Sequence, residues 1–173
     1  MVLRTWGLRR PPEHIPIGSS IPPQPSTGYE RTAWRAQHGI RPDDIVLCYF
    51  GFLNASKGGE TLAQALAGLV RSGGRYHLWM VGGQVGDSDP TNRAYLKQVK
   101  AMLASLGVDG HVRWTGYTTA AEVSANLMAS DIAVLPYRDG VSFRRTSFLT
   151  ALAHGLPTVT TTPAVALPEL VDG

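Results

Sequence analysis

Three polar clusters hold the side chains in this chain that can do chemistry. The first, Asn54-Ala55-Ser56-Lys57-Gly58, follows an apolar run that ends at Gly51. Gly51 and Gly58 let backbone approach a ligand closely, and Lys57 adds a full positive charge. A lysine in the first turn of a helix opposes the helix dipole, and a bound oxyanion reverses that penalty. The second cluster runs Arg138-Asp139-Gly140-Val141-Ser142-Phe143-Arg144-Arg145-Thr146-Ser147. Arg144 and Arg145 offer planar donor pairs suited to phosphate or carboxylate. Thr146 or Ser147 can cap the helix that follows, while Asp139 and Ser142 can hold the hydroxyls of a sugar. The third is the pair Gly82-Gly83, whose lack of side chains lets a strand end pass close to a base or ribose.

Each cluster has a plainer reading as well. Lys57 can be a solvated lysine beside a loop glycine. The arginine loop can be a surface turn in which Arg and Asp pair with each other, and Gly82-Gly83 a simple turn. Two familiar phosphate loops are excluded by spacing, because neither G-x-x-x-x-G-K-[ST] nor G-x-G-x-x-G occurs.

The elements that must position these clusters alternate in type. Strands are predicted at Ile45–Phe50, Tyr76–Val81, His111–Thr115, Ile132–Leu135 and Thr158–Thr161. The predicted helices are Gly28–Gln37, stopped by Gly39, then one from an N-cap at Ser56 to Gly73-Gly74, and one from Asp89-Pro90 onward. Two more run from the capping-box pair Thr119/Glu122 to about Met128, and from Ser147 to His154. Leu62, Leu66, Leu69 and Val70 form one helical stripe, and Tyr95, Val99, Met102, Leu103 and Leu106 another, both read as core. Pro168–Val171 is predicted to begin a further helix. Strands alternating with helices imply an α/β fold with a doubly wound, parallel, Rossmann-like sheet in a single domain. All three clusters then fall at carboxyl ends of strands, where such sheets bind ligands.

Residues 1–26 differ from the rest, with Pro11, Pro12, Pro16, Pro22, Pro23 and Pro25 close together. They read as an extended linker or arm ahead of a domain at 27–173. Arg4, Arg9 and Arg10 with Trp6 have the chemistry for peripheral membrane contact, against a solvated basic arm as the alternative. The chain has 173 residues and a net charge of +3, from 16 Lys and Arg against 13 Asp and Glu. That excess is too small to argue for nucleic acid but suits a small anionic ligand. Cys48, the one cysteine, lies within a predicted strand and reads as a small core residue, so no internal disulfide is possible. The five histidines show no ligand spacing, so neither metal nor cofactor is expected; His154 reads as a structural residue at a helix end. There is no apolar run of the roughly 18 residues a membrane span needs, nor a signal-peptide core at Met1–Trp6, so a cytoplasmic chain is expected.

Seven blocks in order resemble the C-terminal, donor-binding half of GT-B glycosyltransferases of the family 4, or "group 1", type. Ile15–Ser19 resembles the interdomain stretch. Gly51 through Lys57-Gly58 to Leu62 resembles the element G-[RK]-x-x-x-x-K-G-x-x-x-L. Trp79–Gly83, Val112–Tyr117 and Ala129–Pro136 resemble the next strands, and Ala151–Val159 the helix and strand after the catalytic loop. Pro168–Gly173 resembles the segment beyond.

The resemblance implies a retaining, metal-independent transfer of a sugar from a nucleotide-sugar, which is a substrate and not a cofactor. It implies partnership with an N-terminal acceptor-binding half, and a fragment that ends before the closing helix and is inactive alone. It carries Lys57 over as a diphosphate ligand beside Gly51, Gly58, Gly82, Gly83, Gly140, Val141, Ser142, Thr146 and Ser147. The family's arginine position holds Phe52. Of its two glutamates, the second aligns with Thr150, and the first falls near Ser142 or, with a longer loop, Asp139. Asp139 is therefore expected to take the acidic catalytic role, with Arg144 or Arg145 supplying the missing charge. The alternatives are a non-catalytic nucleotide-binding or assembly module and, behind it, another GT-B class such as a nucleotide-sugar epimerase; a nicotinamide dehydrogenase lacks its glycine fingerprint.

Overall fold

A computed structural model describes residues 17–83, 90–168 and 170. Five strands form one parallel sheet: β1 (Ile45–Phe50), β2 (Tyr76–Val81), β3 (Val112–Gly116), β4 (Ile132–Leu135) and β5 (Thr158–Thr160), in the order β3-β2-β1-β4-β5. The helices are α1 (Arg31–Gln37), α2 (Gly59–Arg71), α3 (Pro90–Ser105), α4 (Ala120–Ala129) and α5 (Thr146–Ala153). This is the doubly wound α/β architecture the alternation predicts.

Strand residues of one parity face one helical layer. Ile45, Leu47, Tyr76, Leu78, Ile132 and Val134 line the same groove as Leu62 and Leu69 of α2. Residues of the other parity turn to the opposite face, where Trp79 meets His38, just past the end of α1, edge-on at 5.6 Å. The central strand β1 reads inward on both faces: Val46, Leu47, Cys48 and Tyr49 are all buried. Strands covered by helices on both sides carry such continuous apolar runs.

Local chemistry moves several boundaries. Glu30 accepts the Thr32 and Ala33 N–H groups, so α1 starts at Arg31 rather than near Gly28. Asn54, not Ser56, caps the turn after β1, because its Oδ1 accepts both the N–H and the hydroxyl of Ser56, at 3.1 and 2.8 Å. A single 3₁₀ turn, Ala55–Lys57, results, and Gly58 at φ 67° redirects the chain into α2. His111 closes another 3₁₀ turn, so β3 begins at Val112. The Thr161 hydroxyl donates to the Tyr137 carbonyl at 2.7 Å beyond the end of β5. The capping box at Thr119 and Glu122 forms as predicted. His154 bridges α5 to α4, its ring nitrogens 2.8 Å from the Thr150 carbonyl and 3.1 Å from the Ser124 hydroxyl. The expected cap at Asp89, the segment Arg4–Arg10, and Glu169 and Val171 of the predicted Pro168–Val171 helix lie outside the described residues.

Asp131 ties the two sides of the β1/β4 junction. It accepts from Val46 N–H at 2.8 Å and from buried Arg35 at 3.0 Å, and it pairs with Arg31. Arg35 also donates to the carbonyls of Ala129 and Asp44.

Candidate functional site

In this strand order the chain moves outward from β1 through β2 to β3, then returns to place β4 on the other side of β1. The loops leaving β1 and β4 therefore diverge from adjacent strands, and such a switch point opens a crevice at the carboxyl edge. Here both loops also touch each other. Arg138 N–H donates to the Ser56 carbonyl at 3.0 Å. A Cβ on Gly58 would lie 2.0 Å from the Pro136 carbonyl oxygen, so only glycine fits there.

Tyr137, 1% exposed, lies where the loops meet. Lys57 Nζ stands 4.9 Å from its ring centroid, and so does Arg145 Cζ. The Tyr137 hydroxyl shares a 2.7 Å hydrogen bond with Ser147 at the start of α5. Lys57 faces a cleft of about 510 Å³ whose wall also includes Gly51, Gly82, Gly83, Thr146 and Ser147. Arg145 faces a polar hollow of about 330 Å³ together with Asp139, Ser142 and Arg144. The three cations therefore do not line one cup. Burial, and then the charge of Arg145, hold the Lys57 ammonium below the usual lysine range, against the opposing pull of Asp139. Burial likewise raises the Tyr137 phenol, against Ser147 and Arg145.

The two helix N-termini at this edge differ. At α2 the first N–H, on Gly59, donates to the Tyr95 hydroxyl at 2.9 Å; that hydroxyl donates to Glu60, which pairs with Arg138 at 3.0 Å. The start of α2 is closed by this network. No side chain caps α5, and its first residues, Thr146 and Ser147, line the cleft. Free N–H groups and the positive end of the dipole suit an oxyanion at that position.

The remaining sequence-predicted residues are distributed as follows. Gly82 N–H donates to the Thr115 hydroxyl at 3.0 Å, and Gly83 lies against the Phe52 ring. Phe52 is 55% exposed, at the cleft. Gly140 and Val141 are buried, and their N–H groups donate to the carbonyls of Tyr137 and Thr161. These two amides are thus engaged within the protein rather than turned to a ligand. Asp139 pairs with Arg145, as in the plainer reading of that loop. Arg144 is exposed. Thr150 is fully buried and accepts from the Ser19 hydroxyl at 3.0 Å. The proline-rich stretch also reaches the site, since Ser20 and Ile21 form part of the cleft wall. Sequence reasoning missed the role of Tyr137 and read Tyr95 of α3 only as core; neither an aromatic beside a strand end nor one in a helical stripe carries a local signal of what its hydroxyl does. Among the described residues no group of three or more His, Cys, Asp or Glu is placed to hold a metal, and no helix is long and apolar enough to cross a membrane.

Solved structures share this fold. Anabaena HepE in complex with UDP and glucose superposes with a TM-score of 0.67 at 21% identity, over 87% of this chain and 38% of that one. WaaG, a glycosyltransferase involved in lipopolysaccharide biosynthesis, gives 0.58 at 22% identity, over 81% and 36%. The C-terminal domain of a group 1 family protein, LpcC, from Francisella tularensis gives 0.60 at 17% identity, over 79% and 66%. The chain thus spans well under half of the first two. No curated protein sequence matches it. The profile described as "Glycosyl transferases group 1" matches residues 44–173, from the start of β1 onward, and the chain belongs to that family.

Proposed function

We propose that the chain is the donor-binding half of a glycosyltransferase and holds the diphosphate of a nucleotide-sugar at the β1/β4 switch point. The observation that carries this reading is the meeting of Lys57 and the uncapped start of α5 on one cleft. As the bond between sugar and phosphate oxygen breaks, charge builds on the departing nucleoside diphosphate. Lys57 and the first N–H groups of α5 stabilise that charge, and Arg145 adds a second cation behind Tyr137. Asp139, Ser142 and Arg144 border the polar hollow and take sugar hydroxyls. The transfer retains configuration and needs no metal, since protein cations carry the neutralisation. The acceptor binds a second half supplied by a longer chain, and this half alone transfers no sugar. The reaction is assigned to the cytoplasm, with peripheral membrane contact through the basic arm.

Calorimetric titration with UDP, GDP and ADP and the matching monophosphates tests the reading. One diphosphate is expected to bind more tightly than its monophosphate, and Lys57→Ala to weaken it by about tenfold, as for a lost charge-assisted hydrogen bond. No binding of any of the three at millimolar concentration would sink the proposal. In the longer protein, transfer is expected to persist in EDTA.

The second reading, a nucleotide-binding or assembly module without catalysis, is favoured by two positions. Phe52 stands where the family's arginine is expected, and Thr150, at the second glutamate, is covered by Ser19. Transfer assays on the longer protein separate the two: nucleotide binding without transfer in the unsubstituted protein supports the module, whereas transfer that Asp139→Ala abolishes supports catalysis.

A further inference from the structure

The cations of this site line two different hollows, yet one ring underlies both. We infer that Tyr137 is a positioning residue: its ring is the platform that holds Lys57 and Arg145 at a fixed separation, and its hydroxyl anchors Ser147 in the first turn of α5. This rests on the diphosphate reading above and adds the device that sets its selectivity for a second phosphate.

Four observations support the inference. Tyr137 is 1% exposed, so its ring is not a surface for ligand. Lys57 Nζ and Arg145 Cζ stand at the same 4.9 Å from the ring centroid. The two like charges repel, and Arg145 depresses the Lys57 ammonium. The electron-rich face of an aromatic ring attracts each cation and offsets that repulsion. The tyrosine itself is pinned by its backbone. Its carbonyl accepts from the Thr161 hydroxyl at 2.7 Å and from Gly140 N–H at 3.2 Å, and its N–H donates to the Leu135 carbonyl at 3.0 Å. Finally, the 2.7 Å bond to Ser147 couples this ring to the uncapped helix start. Every positive element proposed to face the diphosphate therefore refers to one buried side chain. Lys57 and Arg145 come from loops far apart in sequence; Asp139 also holds Arg145, and the shared ring is what brings the two cations to one place.

The readout is the ratio of diphosphate to monophosphate affinity, for whichever of UDP, GDP and ADP binds tightest to the 173-residue chain. A merely structural residue changes both affinities together and leaves the ratio alone. Tyr137→Met, which keeps apolar bulk without the ring, is expected to lower the ratio about tenfold with monophosphate affinity unchanged, since two cation–ring contacts are lost. Tyr137→Phe keeps the ring, loses the anchor and lowers the ratio about threefold. Ser147→Ala gives the same loss, and the double variant Tyr137→Phe/Ser147→Ala loses no more than either alone. A ratio of one in the unsubstituted chain overturns the diphosphate reading itself. A ratio above one that survives in folded Tyr137→Met overturns the positioning role. Should Tyr137→Met fail to fold, Tyr137→Phe decides: an unchanged ratio, or losses that add with Ser147→Ala, overturns the proposal.

Discussion

The Tyr95 hydroxyl of α3 accepts the first amide of α2, Gly59 N–H, at 2.9 Å and passes its own proton toward Glu60. A residue 36 positions away thus performs the capping that the local sequence around Ser56 does not. Burial, and then the bond to Glu60, push the Tyr95 phenol up to about 12. Tyr95→Phe leaves Gly59 N–H and Glu60 without this partner, and is expected to cost about 1–3 kcal/mol in urea unfolding. The Phe ring preserves packing, so an unchanged midpoint would show that the cap adds nothing.

Two glycines separated by ten residues are expected to respond in opposite ways to alanine. Gly58 has φ 67°, and an added Cβ would meet the Pro136 carbonyl oxygen at 2.0 Å. Gly58→Ala must move the β4 loop or break it, at a cost of at least about 2 kcal/mol. Gly68 lies in the exposed interior of α2, and nothing approaches its Cβ position. Gly68→Ala is expected to stabilise the fold by roughly 0.5–1 kcal/mol. Thermal unfolding of both variants reads the signs directly.

Asp131 makes the fold acid-sensitive. Burial raises its carboxyl, but Val46 N–H, Arg35 and Arg31 outweigh that and hold it below the usual aspartate range. A depressed carboxylate contributes stability that is fully present above its unfolded pKa. That stability is lost as pH falls below about 4 and through the lowered folded value. Denaturant unfolding between pH 7 and pH 2.5 is expected to show this loss. Asp131→Asn should be less stable at neutral pH and show a shallower decline in acid; an equally steep decline would assign the sensitivity to other carboxylates.

Lys57 is expected to set an alkaline limit on diphosphate binding. Its ammonium is depressed by burial and by Arg145, while Asp139 opposes both. As pH rises, Lys57 should therefore lose its proton before an exposed lysine, whose pKa is about 10.4, and affinity should fall with it. Arg145→Ala removes a depressing charge and moves that limit to higher pH, although binding is weaker throughout. Affinity followed by calorimetry from pH 7 to pH 10.5 tests this, and an Arg145→Ala limit at unchanged pH would contradict it.

The sequence by itself determined the elements and their kinds. The runs Ile45–Phe50, Tyr76–Val81 and Ile132–Leu135 are strands with those bounds, and Thr119 with Glu122 opens α4, because periodicity and capping act over a few residues. It also placed Lys57, Gly82-Gly83 and Thr146-Ser147 at strand ends, where the structure gathers them on one cleft. Tertiary structure alone decided which helix start stays open. Tyr95 closes α2 from another element, and nothing near Gly58 in sequence announces it. It alone separated Lys57 from the arginine hollow, paired Arg145 with Asp139 and placed Tyr137 beneath both cations. Those relationships depend on the strand order β3-β2-β1-β4-β5, which makes β1 and β4 neighbours although they are about 80 residues apart. Spacing along a chain specifies contacts within a turn of helix or a pleat of strand; contacts across a sheet come from how buried faces pack, which no short motif records.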